Sequence, residues 1–192
     1  VKSEGQQAIL ALHRIREGLV KVRTATINAL RGLLTEYGEV FGQGRKAFDE
    51  GMKGALARLA ERLPAPLIEA LRDQWNEVAR LDERMANIER SLQAWLRQDS
   101  AAKAIAEIPG VGLLTATAAV ATIGDAKAFR SGREFAAYIG LIPGQTGSGG
   151  KVKLLGMSKR GDTYLRTLLV HGARAVLHHA KTPSPWLQQI SA

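Results

Sequence analysis

Apolar positions in the first part of the chain return at alternating spacings of three and four. Leu12, Ile15, Leu19, Val22, Thr26, Ala29 and Leu33 make up this series. Such a heptad seam predicts an amphipathic helix from Ser3 to about Tyr37, roughly 50 Å long at 1.5 Å per residue. Gly38 is a natural stop, and residues 38–46, with three glycines, read as a loop. A shorter helix is expected over about Ala47–Leu63, ended by Pro64 and Pro66. The clearest stripe follows: Val78, Leu81, Met85, Ile88, Leu92 and Trp95, extended backwards by Leu71 and Trp75, with charged residues on the other face. It predicts a long helix over about Pro66–Arg97. Two long seamed helices joined by a connector form either an antiparallel pair or a dimeric coiled coil, and the pattern alone accommodates both.

The pattern changes near Ser100. Beyond it glycines are frequent, small residues dominate and helices are short, which places a domain boundary there: 1–100 as a helical coiled-coil arm, 101–192 as a small domain. Charge sharpens the division. Residues 1–100 hold 16 Lys and Arg against 14 Asp and Glu, whereas residues 101–192 hold 11 against 4. The net charge of +9 and the sequence pI of about 10.2 therefore arise mostly in the second half. A basic domain beside a balanced arm points to a polyanionic partner. No cysteine is present, which excludes disulfides and thiolate metal sites and fits a reducing, cytoplasmic setting. No apolar run approaches the roughly 20 residues of a membrane span, so no membrane partner is expected. A start at Val1, without Met or a hydrophobic leader, suggests that a segment precedes it.

Three motifs in the basic half can carry chemistry. Ile108-Pro109-Gly110-Val111-Gly112 lies between a short helix (about Ala101–Glu107) and an Ala/Thr-rich one (Leu113–Ile123). This is the helix–hairpin–helix arrangement, in which Gly110 and Gly112 permit a tight turn and the second helix directs its N–H groups and dipole at one phosphate. The alternative is a tight corner needing glycine only for packing. Next comes the loop from Gly140 to Lys151. It lacks the nucleotide-binding pattern, because Gln145 stands where the first glycine belongs and Val152 follows the lysine. What remains is Ser148 among glycines, with Lys151, Lys153, Lys159, Arg160 and Arg166 within 18 residues of it. A serine hydroxyl near such cations can attack a phosphodiester, since they stabilise the charge that builds on the transition state. The plain reading is a Gly/Ser turn. The third motif is Ser158-Lys159-Arg160-Gly161-Asp162, with Asp162 as N-cap of a helix over Thr163–Ala180. Lys159, Arg160 and Arg166 would cluster at its start as a phosphate clamp, or simply form a solvated basic face. His171, His178 and His179 have the wrong spacing and no carboxylate to complete a metal site.

In order and spacing, these segments resemble the C-terminal domain of the IS-one-ten insertion-sequence transposases, recombinases described as guided by a bridge RNA. The segments are Ile108–Gly112, then Phe135-Ala136-Ala137-Tyr138-Ile139-Gly140-Leu141-Ile142-Pro143, then Ser148-Gly149-Gly150-Lys151, then Ser158-Lys159-Arg160-Gly161-Asp162-Thr163-Tyr164-Leu165-Arg166. The first helix is also similar to that family's coiled-coil region. The resemblance implies a parent enzyme with an N-terminal RuvC-like domain, whose four acidic residues bind Mg²⁺ and which is not in this chain. It also implies a catalytic serine that becomes linked covalently to DNA; the position matching it is Ser148, with Ser158 as the competitor. Gly144 stands where many relatives would carry a basic residue.

The expectation is a mainly α protein, a long helical coiled-coil arm followed by a small helical domain with a helix–hairpin–helix-like motif and at most a short β-hairpin near 141–155. Ser148 would be the nucleophile of a DNA transposase. Gly110, Gly112, Lys151, Lys153, Lys159, Arg160 and Arg166 would hold phosphates. DNA, a guide RNA and further copies of the chain in a dimer or tetramer would be its partners, with no cofactor bound by this segment and no turnover by it alone. The rival is a non-catalytic helix–hairpin–helix module with an oligomerising arm.

Overall fold

The computed structural model describes residues 2–179. Its elements run α1 (Glu4–Glu36), α2 (Arg45–Ala60), α3 (Ala65–Gln98), α4 (Ser100–Ala106), α5 (Leu113–Ile123), a 3-10 turn (Ala126–Ala128), α6 (Gly132–Tyr138), β1 (Pro143–Ser148), β2 (Lys151–Met157) and α7 (Thr163–His179). The protein is thus mainly helical with one two-stranded antiparallel sheet. The expected helix ends hold to within a few residues, and the expected end of the last helix at Ala180 lies outside the described residues. Among the described residues no helix is long and apolar enough to cross a membrane.

The chain divides into two compact units. One is Arg14–Glu89; the other joins the residues up to His13 to those from Arg90 onward. The Ser100 boundary expected from composition coincides with the α3–α4 junction, while the compact units assign both the start of α1 and the end of α3 to the basic half.

In the unit Arg14–Glu89, α1 and α3 run antiparallel. Arg16 pairs with Glu89 and Arg23 with Asp82, both at 2.7 Å, and Leu19 packs with Leu81 and Met85. Where the two helices meet α2, Leu30, Leu34, Phe48, Met52, Leu59 and Val78 close a dry core. The stripe read on α3 is its buried face: Leu71, Val78, Leu81, Met85 and Leu92 are all buried.

The seam read on α1 differs. Ile15, Val22 and Leu33 are 53%, 52% and 46% exposed. The inward face is instead Ile9, His13, Arg16, Val20, Arg23, Ile27, Leu30 and Leu34, every one buried or half-buried. That series also alternates four and three. Three of its members are polar, and each has a partner: His13 a pair of hydroxyls, Arg16 and Arg23 a carboxylate. Polar residues at inward positions made a more apolar series, which shares only the inward side's flank at Leu19, look like the seam.

In the other unit α5 is the central post. Thr115 to Thr122 are buried without exception, as a helix apolar or small on all sides requires. Ala118 and Ala119 pack with Ile139 and Leu165, so α5 carries both the segment after α6 and the start of α7. Local capping delimits the short helices: the Asp99 carboxylate accepts from the Ala102 N–H, and the Ser131 hydroxyl accepts from the Glu134 N–H while Glu134 accepts from the Arg130 N–H.

Candidate nucleic-acid interface and serine site

The hairpin that carries Ser148 is closed by Gly149 and Gly150, with φ of +59° and +79°. Two consecutive residues in that region form the tight turn whose twist matches the flanking strands. Register follows from this turn: Ser148 faces Lys151, Gly147 faces Val152, and Thr146 faces Lys153. Directly opposed residues project to the same side of a two-stranded ribbon, with Cβ atoms about 5 Å apart. One face therefore carries Ser148, Lys151, Thr146 and Lys153; the other carries Gly147, Val152, Gln145 and Leu154. Ser148, Lys151 and Lys153 are exposed. The serine thus sits beside one ammonium group and diagonally from a second, on a ribbon that stands in solvent with Val152 and Leu154 67% and 63% exposed.

A second cationic group lies at the opposite end of the ribbon. The Ser158 N–H donates to the Ile142 carbonyl at 2.9 Å, and the Lys159 N–H to the Gly140 carbonyl at 3.1 Å. The two motifs Gly140–Pro143 and Ser158–Asp162 are therefore docked on each other. Glycine makes the fit possible. A Cβ on Gly140 (φ +75°) would overlap the Arg160 backbone, and one on Gly161 (φ +85°) would overlap the Tyr138 carbonyl. Lys159 itself adopts φ +56°, a conformation uncommon for a residue with a side chain. The turn holds it there and leaves Lys159 and Arg160 exposed.

Arg166 lies under this turn, 8% exposed. Its guanidinium donates to the carbonyls of Ile139 (2.8 Å) and Arg160 (3.0 Å) and to Thr163 Oγ1 (3.1 Å). It thereby ties the start of α7 to both docked motifs. Asp162 caps α7, its carboxylate accepting from the Leu165 N–H at 2.9 Å.

Ser148 does not lie beside this turn. Five residue steps of strand separate it from Pro143 at the ribbon's base, about 17 Å at the usual strand rise. The five cations thus fall into a tip group (Lys151, Lys153), a base group (Lys159, Arg160) and the buried Arg166. Among the described residues none of the four exposed cations has an acidic partner. Ser158, half-buried at the base, lines a cleft with Arg160.

The glycine corner between α4 and α5 is two sites in one. Gly110 (φ +83°) touches α7: a Cβ there would meet the Gly172 carbonyl at 2.6 Å and Val176 at 2.8 Å, and a Cβ on Gly172 would overlap the Gly110 carbonyl. Close backbone approach is what Gly110 does in this fold. Gly112 is exposed, has open space around its α-carbon and starts α5 without a side-chain cap.

The reading from residues alone missed His13. Its ring is buried and contacts both Thr117 and Tyr164. The available signal was a histidine four residues after Ile9 in the true inward series. Among the described residues no three His, Asp or Glu side chains come together as a metal site.

Residues 102–189 match the family described as Transposase IS116/IS110/IS902 family. Similar proteins carry related names. A probable family 20 transposase of Pseudomonas aeruginosa is 45% identical over 193 residues, covering 98% of this chain and 57% of that protein. The transposase for insertion sequence element IS1111A of Coxiella burnetii is 42% identical, covering 98% of this chain and 53% of the relative. The transposase for insertion sequence element IS1328 of Yersinia enterocolitica is 37% identical over 95% of this chain and 54% of its own length. The chain thus spans little more than half the length of these curated relatives.

Proposed function

We propose that this chain is the helical arm and C-terminal domain of an insertion-sequence transposase, and that Ser148 is the residue that attacks DNA. The observation that carries the reading is the cross-strand pair Ser148–Lys151 on an exposed ribbon. Attack would form a bond from Ser148 Oγ to phosphorus and break one phosphorus–oxygen bond of the strand. The serine proton leaves, and the departing strand oxygen takes up a proton. The Lys151 and Lys153 ammonium groups offset the charge that accumulates on the phosphoryl oxygens. Gly149 and Gly150 leave the tip narrow enough for a phosphodiester to approach.

The other sites divide the binding work. Lys159 and Arg160 hold phosphates at the base of the ribbon, and the uncapped start of α5 at Gly112 offers backbone N–H groups to another. Arg166 and Gly110 serve by holding the turn and the corner in shape. On its face of the ribbon Ser148 has Lys151, Thr146 and Lys153 as neighbours, none of them a carboxylate or a histidine, so the acceptor for its proton comes from elsewhere, in keeping with the acidic RuvC-like domain that the resemblance implies. A guide RNA fits the same unpaired cations. Further copies of the chain fit the exposed α1 series Ile15, Val22 and Leu33.

The test uses the full-length protein with its guide RNA and donor DNA. Ser148→Ala is expected to abolish a covalent protein–DNA adduct, and Ser158→Ala to retain it. Recombination by the Ser148→Ala protein would overturn the assignment. An adduct lost only in the Ser158→Ala protein would move it to Ser158.

A further inference from the structure

A cleft of about 750 Å³ opens at the base of the ribbon, between the two strands and the Ser158–Arg160 turn. Its size falls in the range that takes a small organic group. Ile142, Pro143, Leu155 and Met157 wall it. Leu155 and Met157 remain 49% and 43% exposed, so the walls are apolar surface left in water. Gln145, Ser158 and Arg160 add polar side chains to the lining.

We infer that this cleft receives one unstacked nucleobase of the bound strand, with the adjoining phosphate on Arg160. The inference rests on the nucleic-acid reading above. The chemistry of the walls matches the ligand part by part. A base has two flat faces that pack on apolar side chains and an edge that needs hydrogen-bond partners. Gln145 can both donate to and accept from that edge, and Ser158 adds a hydroxyl. A base also brings a phosphate with it, and Arg160 in the lining supplies a cation to pair with that phosphate. A base packed by its faces on these side chains cannot also be stacked between its neighbours, so it must leave the stack. That costs least where it is already unpaired. The base of the ribbon is about 17 Å from Ser148, equivalent to about five steps of duplex at 3.4 Å each. The unstacked position is then a few nucleotides from the phosphodiester that Ser148 reaches.

The experiment measures affinity of this chain for three oligonucleotides at low and moderate salt. One is fully paired, one has a single unpaired 2-aminopurine, and one has an abasic site at that unpaired position. The expected result is binding of the unpaired base on the order of tenfold tighter than the abasic DNA, a change of the size that base packing on side chains gives, with a shift in 2-aminopurine emission. Met157→Asn and Gln145→Ala should each erase most of that ratio and leave the salt-dependent affinity for paired DNA unchanged. Both side chains are exposed or nearly so, and circular dichroism checks that the fold persists. Equal affinity for the unpaired and abasic DNA, with salt-dependent binding to both, overturns the base site and leaves the nucleic-acid reading standing. A tenfold ratio that survives both substitutions overturns the cleft as its location. Absence of binding to all three at low salt overturns both readings.

Discussion

The Nδ1 atom of His13 lies 3.0 Å from the hydroxyl of Tyr164, although 151 positions separate the two residues. The other ring nitrogen is 3.0 Å from Thr117 Oγ1. The Thr117 hydroxyl has one hydrogen and gives it back to its own helix, at the Leu113 carbonyl. That hydroxyl is then free to accept from His13 Nε2–H, and in the tautomer protonated there Nδ1 accepts from the Tyr164 hydroxyl. Tyr164 directly follows the Ser158–Thr163 segment, so the start of α1 is bonded to the element that presents Lys159 and Arg160.

Removing one member takes a hydrogen bond away from a buried group. Tyr164→Phe should cost about 1–2 kcal/mol and His13→Ala about 2–3 kcal/mol, from the penalty for unmade buried hydrogen bonds and the space left by the ring. Urea denaturation followed by circular dichroism measures both. A loss below about 0.5 kcal/mol for Tyr164→Phe would mean that water replaces the hydroxyl and the latch is slack.

How much of this was legible beforehand depends on whether an element announces itself by apolar residues alone. The α3 stripe did so: its members Leu71, Val78, Leu81, Met85 and Leu92 are all buried. The inward face of α1 did not, because His13, Arg16 and Arg23 sit in it and find partners far along the chain. The order of the motifs was legible too, but their mutual docking was not. That Gly140 and Gly161 admit each other's backbone, and that Arg166 is used up beneath them, depends on contacts no spacing reveals. Ser148 was legible as a serine among glycines; its distance from Lys159 follows from strand pairing, which a loop reading omits.

Glycine substitutions separate packing from ligand contact at the α4–α5 corner. Gly110→Ala meets both a positive φ and the Gly172 backbone, and Gly172→Ala meets Gly110 in return. Each should destabilise the protein by about 2–4 kcal/mol, as overpacking combined with backbone strain does. Gly112 has φ −90° and open space, so Gly112→Ala should cost no more than about 1 kcal/mol. Thermal melts rank the three. A Gly110→Ala protein as stable as the parent would show that the corner and α7 are not in contact.

Two arginines six residues apart should fail in different ways. Arg166 is buried and satisfied by three acceptors, two of them the carbonyls of Ile139 and Arg160. A lysine cannot span that fork, and Arg166→Lys should cost about 2–3 kcal/mol by leaving buried carbonyls unmet. Arg160 is exposed, and Arg160→Ala should leave the melt within about 0.5 kcal/mol while lowering DNA affinity and reducing the salt slope by about one unit. The pair of measurements, melting and salt-dependent binding, distinguishes them. A fully stable Arg166→Lys protein with weakened DNA binding would return Arg166 to the phosphate contacts.

The exposed series on α1 has the spacing of a second seam, pointing away from α3. Ile15 and Val22 are one heptad apart, Ala29 continues the interval, and Leu33 follows four residues later. None of these residues supports the core described for Arg14–Glu89. Mutation should therefore leave the fold intact and act only on association. Replacing both Ile15 and Val22 with glutamate puts like charges against each other wherever two copies meet through this face. The expected outcome is a shift to monomer in sedimentation velocity, at concentrations where the parent chain self-associates, with an unchanged melting temperature. A double variant that assembles like the parent would show that copies of the chain meet elsewhere. A variant that loses its melting transition would instead assign Ile15 and Val22 to the fold.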